Sequence, residues 1–266
     1  MDTSDLAIRM KSYEDVNKTR FIRHLPLVIR VDGNSFHNFT KGLDRPFDEI
    51  LHNTMLKTMV SLCEHIPCAV LGYTQSDEIT IVVADYSQIS EPWFGGVKRK
   101  IESITASMAT KYFNLHFSEL VYEKKEYSED FTRYMKYMPK IGNAMFDSRA
   151  FNLPIFEVTN NLIWRQNDAI RNSIQMVGRA NFPHGSLQNK NRAQIVEMLK
   201  TEKKIDWDKL PTEYKQGCCC IKIPRVFNEG TPEEFTRNKW EIDYNIPLFT
   251  QNRDYIDKLV KYPEED

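Results

Sequence analysis

The stretch Leu25-Pro-Leu-Val-Ile-Arg-Val-Asp32-Gly33 decides the fold class of this chain. It is a short run rich in β-branched residues that ends in Asp-Gly, which predicts a buried strand meeting a turn. The polar N-terminal ~20 residues before it have few apolar positions and predict an exposed helix. Residues 47–66 after it have apolar residues at helical spacing and predict a buried, wide-faced helix.

The segments that follow complete an alternation of strands and helices. Residues 68–73 and 79–84 predict two strands, and residues 74–78 between them predict a hairpin. A second long helix is predicted over residues 97–117, and a further strand over residues 144–151. The order β-α-β-β-α-β is that of a ferredoxin-like polymerase palm, an α+β fold. We expect two helices on one face of an antiparallel sheet, with the other face left for a substrate.

The second half of the chain differs in charge. Residues 158–182 predict another long helix, and residues 161–204 hold eight Lys and Arg against three Asp and Glu. Such a basic segment suits a polyanion, although solvated helix faces explain it as well. We expect a palm-like catalytic core over residues 1–150 and a mainly helical or mixed lobe over residues 151–266, or one integrated domain.

The amino-acid composition favours a globular protein and argues against a disordered, membrane-spanning or secreted one. The 266 residues are 41% hydrophobic and 27% charged, which is globular rather than disordered composition. No apolar run approaches the ~18 residues needed to cross a bilayer, and the N-terminal residues lack an apolar signal core. Five cysteines without a CxxC pair indicate a reduced, cytoplasmic protein. Three of them, Cys218–Cys220, are adjacent and favour a buried strand over a metal site.

Three carboxylates fall where predicted strands end. Asp32 closes the first strand, and Asp77 and Glu78 lie in the hairpin, so all three can meet at one sheet edge. Carboxylates packed together repel, a conflict that a divalent cation removes, and oxygen ligands suit Mg²⁺. Two such ions support phosphoryl transfer, but Asp-Gly and Asp-Glu also occur in ordinary solvated turns. Four histidines have no spacing typical of zinc: His24, His65, His116 and His184.

Three motifs occur in order along the chain. They are Arg30-Val-Asp32-Gly33-Asn-Ser-Phe36-His37-Asn-Phe39, Arg45-Pro-Phe-Asp48 and Gly72-Tyr-Thr-Gln-Ser76-Asp77-Glu78. Together they resemble the tRNA-His guanylyltransferase superfamily, whose members are 3′–5′ nucleotide polymerases acting on tRNA 5′ ends. The resemblance runs over about residues 5–225 and includes Trp164-Arg165-Gln166 with Asp168 and Tyr214-Lys-Gln-Gly217.

The resemblance implies a role for each matching residue. Asp32 and Asp77 would be carboxylate ligands of two Mg²⁺ ions, Gly33 a backbone-carbonyl ligand, and Glu78 a third, supporting catalytic residue. The implied nucleotide-binding residues are Asp32, Gly33, Asn34, Ser35, Phe36, His37, Arg45, Asp48, Ser76, Asp77, Lys98 and Arg99. Apart from these carried-over roles, the cations predicted to contact tRNA are Arg149, Arg165, Arg171 and Lys190.

One departure from the family pattern bears on the substrate. Eukaryotic members have His-Ile-Asn-Asn shortly after Trp-Arg-Gln, where this chain has Ile170-Arg171-Asn172-Ser173. The missing histidine indicates the guanylyltransferase-like branch of bacteria and archaea. That branch implies templated addition of nucleotides to 5′-truncated tRNA after activation of the 5′ end by ATP, with ATP and GTP as substrates. Family members are homotetramers.

Three alternatives stay open. One is addition of a single G at position −1 of tRNA-His. Another is a palm-type nucleotide cyclase, although the hairpin reads Gln-Ser-Asp-Glu rather than Gly-Gly-acidic-acidic-Phe. The last is a non-catalytic RNA-binding module that uses the basic segment, against which the paired carboxylates argue.

Overall fold

One antiparallel sheet organises the part of the chain that the computed structural model describes, residues 2–126, 134–228, 230 and 233–262. Its six strands are β1 Leu27–Gly33, β2 Ala69–Gln75, β3 Glu78–Val83, β4 Phe146–Asn152, β5 Cys218–Phe227 and β6 Phe235–Asp243. They lie in the order β4-β1-β3-β2-β5-β6, and each neighbouring pair is antiparallel.

The helices are α1 Asp5–Asp15, α2 Phe36–Phe39, α3 Glu49–His65, α4 Lys98–Glu126, α5 Ile155–Asn181, α6 His184–Leu187, α7 Arg192–Lys203, α8 Thr212–Gln216 and α9 Asp254–Val260. Four of them, α1, α3, α4 and α5, lie where the sequence predicts helices, and the sequence does not predict the others. The order β1-α3-β2-β3-α4-β4, with β4-β1-β3-β2 across the sheet, confirms the predicted ferredoxin-like fold. Helix α4 continues to Glu126, well beyond its predicted end at residue 117.

Helices cover both faces of the sheet. Helices α3 and α4 pack on the face that carries alternate apolar residues such as Ile29 and Ile81, which are fully buried. On the opposite face, Tyr73 and Val82 pack against α5 and α9. The prediction that this face is left for a substrate is therefore wrong for the part under α5 and α9, because the β2 and β3 side chains that pack there, Leu71, Tyr73 and Val82, are apolar. Polar side chains, Asp32 among them, occupy this face on β1.

Two strands from the C-terminal part extend the sheet beyond β2. The first of them, β5, begins with Cys218–Cys220, which are fully buried, so the prediction of a buried strand there is confirmed. The sequence does not predict β6, because its largely exposed residues lack a regular apolar alternation. No helix within the described residues is long and apolar enough to span a bilayer.

Candidate active site

The ends of β1 and of the β2–β3 hairpin meet at one edge of the sheet. Asp32 lies opposite Glu78 in the β1–β3 ladder, and the Gly33 N–H donates a hydrogen bond to the Asp77 carbonyl at 3.0 Å. The hairpin turns through two residues, Ser76 and Asp77, and Ser76 has a positive φ of 52°. This tight turn fixes the backbone of Asp77 beside β1, so Asp32, Asp77 and Glu78 lie at the same edge of the sheet.

Burial and repulsion between carboxylates disfavour the ionised forms of the aspartates at this edge. Burial raises the pKa of Asp32, the charge of Asp147 raises it further, and Arg149 and other nearby arginines lower it. Burial also raises the pKa of Asp77. The Ser76 hydroxyl, which donates to Asp77 Oδ1 at 3.0 Å, lowers that pKa, and the charge of Asp32 raises it again. A divalent cation between Asp32 and Asp77 would relieve the repulsion, and their oxygen atoms suit Mg²⁺.

Gly33 has a packing role of its own. A Cβ at this position would lie 2.3 Å from Cδ2 of Phe36, whose ring covers the backbone there. Phe36 is 3% exposed and stacks on Phe39 at a centroid distance of 5.0 Å. Because the ring is part of the core, Phe36 can contribute to nucleotide binding only through its backbone.

Glu78 is buried and held by an arginine. Its Oε1 lies 2.8 Å from Nε of Arg165, and Nη2 of Arg165 donates to Oδ2 of Asp168 at 2.5 Å. Burial raises the pKa of Glu78, while Arg165 and Arg30 lower it.

The structure contradicts the prediction that Arg165 contacts tRNA. Arg165 is 6% exposed, and its guanidinium lies between two carboxylates. The physical reason is that α5 packs over the face of the sheet on which β3 carries Glu78. Arg165 therefore holds Glu78 in place from the interior of the protein.

The sequence alone assigns no role to two charged residues that lie near Asp32. Asp147 lies opposite Asp32 in the β1–β4 ladder, and Arg30 lies opposite Arg149 in the same ladder. The Arg30 guanidinium lies 5.5 Å from the centre of the Trp164 ring. The sequence predicts β4, but the register that sets Asp147 beside Asp32 depends on how the two strands pair.

The predicted nucleotide-binding residues near Asp32 differ in exposure. Four of them are exposed: Asn34, Ser35, His37 and Arg45. Asp48 is instead 5% exposed and caps α3, since its carboxylate accepts three hydrogen bonds from within the protein. As the N-cap residue of α3, it supports the site by fixing the start of that helix.

Lys98 and Arg99 lie at the other end of the sheet. The first turn of α4, with Ile101, and the first residue of β1, Leu27, line a common cavity of about 870 Å³. Strand β1 then runs from Leu27 to Asp32 at about 3.3 Å per residue, so the cavity lies on the order of 15 Å from Asp32. Within one chain, the structure does not bring these two cations to the carboxylates.

The remaining predicted tRNA contacts are exposed cations. Arg149 lies 3.2 Å from Asp147, close enough to Asp32 to affect its pKa. Arg171 is 60% exposed and pairs with Asp168, and Lys190 is exposed between α6 and α7. Because these three side chains are exposed to solvent, each of them can contact the phosphate backbone of an RNA.

A cavity of about 90 Å³ adjoins the hairpin. Gln75 and Ser76 form one wall, α5 contributes Asn172, and α8 contributes Tyr214. The Tyr214 ring stacks on Phe47 at a centroid distance of 4.7 Å. Polar and aromatic side chains therefore lie directly beside the turn that holds Asp77.

Comparison with known proteins gives consistent results. The family model described as tRNAHis guanylyltransferase matches residues 7–154. The uncharacterized protein R259 of Acanthamoeba polyphaga mimivirus is 27% identical, over 97% of this chain and 93% of its own. The probable tRNA(His) guanylyltransferase of Dictyostelium discoideum is 28% identical, over 81% of each chain.

Solved structures extend the similarity to nearly the whole chain. A bacterial tRNA(His) guanylyltransferase-like protein in complex with ATP has a TM-score of 0.81 and 37% identity, covering 97% of this chain and 99% of its own. The tRNA(His) guanylyltransferase of Saccharomyces cerevisiae has a TM-score of 0.65 at 17% identity, covering 91% and 98%, and shares the fold. The chain therefore belongs to the tRNA-His guanylyltransferase family, which is a family of nucleotidyltransferases.

Proposed function

We propose that this chain adds nucleotides in the 3′–5′ direction to the 5′ end of truncated tRNA, with the opposite strand of the acceptor stem as template. The observation that carries the proposal is the meeting of Asp32 and Asp77 at one sheet edge, with Glu78 next to them. In this reaction the 3′-hydroxyl of an incoming nucleotide attacks the α-phosphate at the activated tRNA 5′ end, and the activating group leaves.

Two Mg²⁺ ions are the proposed cofactors, with Asp32, Asp77 and the Gly33 carbonyl as ligands. When bound, such ions lower the pKa of an attacking hydroxyl and stabilise the charge of the leaving phosphate. The chain itself supplies fixed geometry: the ladder sets Asp32, the two-residue turn sets Asp77, and the Arg165 ion pair holds Glu78 behind them. A cation bound here would offset the burial and the carboxylate repulsion that raise the pKa of both aspartates.

ATP and GTP are the proposed nucleotide substrates. The bacterial guanylyltransferase-like structures are complexes with ATP, at 37% identity, and with GTP, at 33% identity and a TM-score of 0.73. The exposed residues Asn34, Ser35 and His37 lie beside Asp32, where their backbone and side chains can meet a triphosphate. The cavity beside Ser76, with the Tyr214 ring, can take part of a base.

For tRNA, we propose contacts through exposed cations and selection of the base by pairing. Arg149, Arg171 and Lys190 can contact the backbone, which positions the stem without reading its sequence. Ile170 stands where eukaryotic members have histidine, and this supports templated repair over addition of a single G to tRNA-His. The family resemblance also suggests a homotetramer, which a mass measurement in solution tests.

The test is a 5′-extension assay on a tRNA that lacks its first nucleotides. Reactions contain a 5′-monophosphate tRNA with ATP, NTPs and Mg²⁺, or a 5′-triphosphate tRNA that needs no activation. We expect addition of the nucleotides that complete the stem, and loss of addition in Asp32→Ala and Asp77→Ala. Asp85→Ala, which changes a carboxylate just beyond the far end of β3, is the matched control and should keep activity.

Other products would assign a different function. A single G added to tRNA-His whatever the opposite base would assign the position −1 activity. A cyclic nucleotide made without RNA would assign a cyclase. Tight, salt-sensitive RNA binding with no Mg²⁺-dependent turnover would assign a binding module, and each of these results would overturn the proposal.

A further inference from the structure

Three potential metal ligands from separate parts of the chain converge beside the β2–β3 hairpin. They are His52 on α3, Glu213 on α8 and Cys218, the first residue of β5. One ligand atom from each lies within 4.8 Å of the other two, and within the described ranges this is the one group of three or more His, Cys, Asp or Glu with that spacing.

The donor set is that of a zinc site. Imidazole, carboxylate and thiolate all bind Zn²⁺, whereas Mg²⁺ takes oxygen ligands and suits the Asp32–Asp77 edge instead. Tetrahedral zinc bonds place neighbouring ligand atoms roughly 3.3–3.6 Å apart. Nε2 of His52 lies 3.0 Å from Oε2 of Glu213, so a few tenths of an ångström of movement would admit an ion between them.

The surroundings favour a site with one open position. Cys218 is fully buried, while the His52 and Glu213 side chains are 19% and 22% exposed at the floor of the 90 Å³ cavity. That cavity gives room for a water molecule as a fourth ligand. The Tyr214 ring lies 4.8 Å from the His52 ring and packs against it, which restricts how the imidazole can turn.

We propose that His52, Glu213 and Cys218 bind one Zn²⁺ ion with water as the fourth ligand. The ion joins α8 to α3 and thereby fixes the wall of the cavity that faces Ser76. Binding forms bonds from neutral His52, ionised Glu213 and the Cys218 thiolate, and the thiol proton passes to solvent. The role is structural and does not depend on the nucleotide-addition activity.

The test measures metal directly on the full, tag-free chain. After dialysis against a weak chelator, elemental analysis should find about one zinc per chain. Replacing the zinc with Co²⁺ should give a near-ultraviolet thiolate-to-cobalt band, which reports on sulfur alone and so separates this site from Asp32 and Asp77. Zinc should also raise Tm.

Matched variants decide the assignment. We expect His52→Gln and Cys218→Ser to weaken zinc binding by more than about 100-fold and to remove the band, since each deletes a ligand. Three control variants should keep both the zinc affinity and the cobalt band. They are His65→Gln on the same helix, Cys68→Ser at an exposed cysteine, and Asp32→Asn. His52→Gln changes a half-buried side chain, so it remains informative if Cys218→Ser does not fold.

Two outcomes would overturn the proposal. One is a chain that takes up no zinc at micromolar concentration, which would leave His52 and Glu213 as a hydrogen-bonded pair beside a buried thiol. The other is zinc that remains bound in both ligand variants. Neither result depends on nucleotide addition. A failure of the zinc proposal can therefore be distinguished from a failure of the proposed function.

Discussion

Replacing Arg165 with methionine tests the ion pair beneath the carboxylate edge. Arg165 is 6% exposed and lies between Glu78 and Asp168. Methionine keeps most of the apolar volume but leaves Glu78 buried without its counterion. Removing one partner of a buried pair costs about 3–5 kcal/mol. At roughly 2–4 °C per kcal/mol, we predict a fall in Tm on the order of 10 °C.

Arg171→Met is the matched control for thermal unfolding followed by circular dichroism. Arg171 contacts the same Asp168 from the same helix, but its side chain is 60% exposed. Exposed ion pairs contribute about 0–1 kcal/mol, so this variant should melt close to wild type. Adding Glu78→Gln to Arg165→Met should restore part of the loss. Equal falls in Tm for the two arginine variants would refute the reasoning.

The loss in Arg165→Met should shrink as the pH falls. Burial raises the pKa of Glu78 and Arg165 lowers it, so removing Arg165 raises that pKa further. A folded-state pKa above the unfolded value means that the folded chain binds the proton more tightly. The variant therefore gains stability relative to wild type as the pH is lowered through that pKa. A difference that stays constant across this range would contradict the ion-pair account.

Three smaller perturbations test other parts of the site. Gly33→Ala puts a methyl group 2.3 Å from Phe36, and we predict a loss of about 1–3 kcal/mol in urea unfolding; an unchanged midpoint would show that the ring moves freely. In EDTA, wild type should gain stability relative to Asp32→Asn as the pH falls from the raised pKa of Asp32 towards about 3.9, because the folded carboxyl holds its proton more tightly. A difference in stability between wild type and Asp32→Asn that does not change with pH would contradict this prediction. Mg²⁺ at 100 times its Kd should stabilise wild type by about 2.7 kcal/mol for each ion bound, and the same Mg²⁺ concentration should leave Asp77→Asn almost unchanged; equal stabilisation of both would place the ions elsewhere.

The order of the first four strands along the chain and the position of Asp32 and Asp77 at one sheet edge follow from local sequence. A β-branched run ending in Asp-Gly and a short polar hairpin are signals that each segment carries by itself. The β-α-β-β pattern then puts both ends at one edge. For these features, the periodicity and the turn residues are sufficient, whereas the family resemblance rests on the three motifs that contain Asp32, Arg45 and Asp77.

Contacts that depend on packing between distant segments did not follow from the sequence. Arg165 reads as an exposed cation on a helix, and only the docking of α5 over β3 turns it into the partner of Glu78. Asp147 needed the register of β4 against β1. The His52, Glu213 and Cys218 group joins three segments, so no fixed spacing could reveal it.

The most direct test of the central claim is a crystal structure with Mn²⁺ and a nonhydrolysable nucleotide, recorded to give anomalous scattering from manganese. The account predicts a manganese peak in contact with carboxylate oxygens of both Asp32 and Asp77, at the distances expected for hard oxygen ligands. A peak bound to neither aspartate, or no peak at this edge while nucleotide is bound elsewhere on the chain, would contradict it.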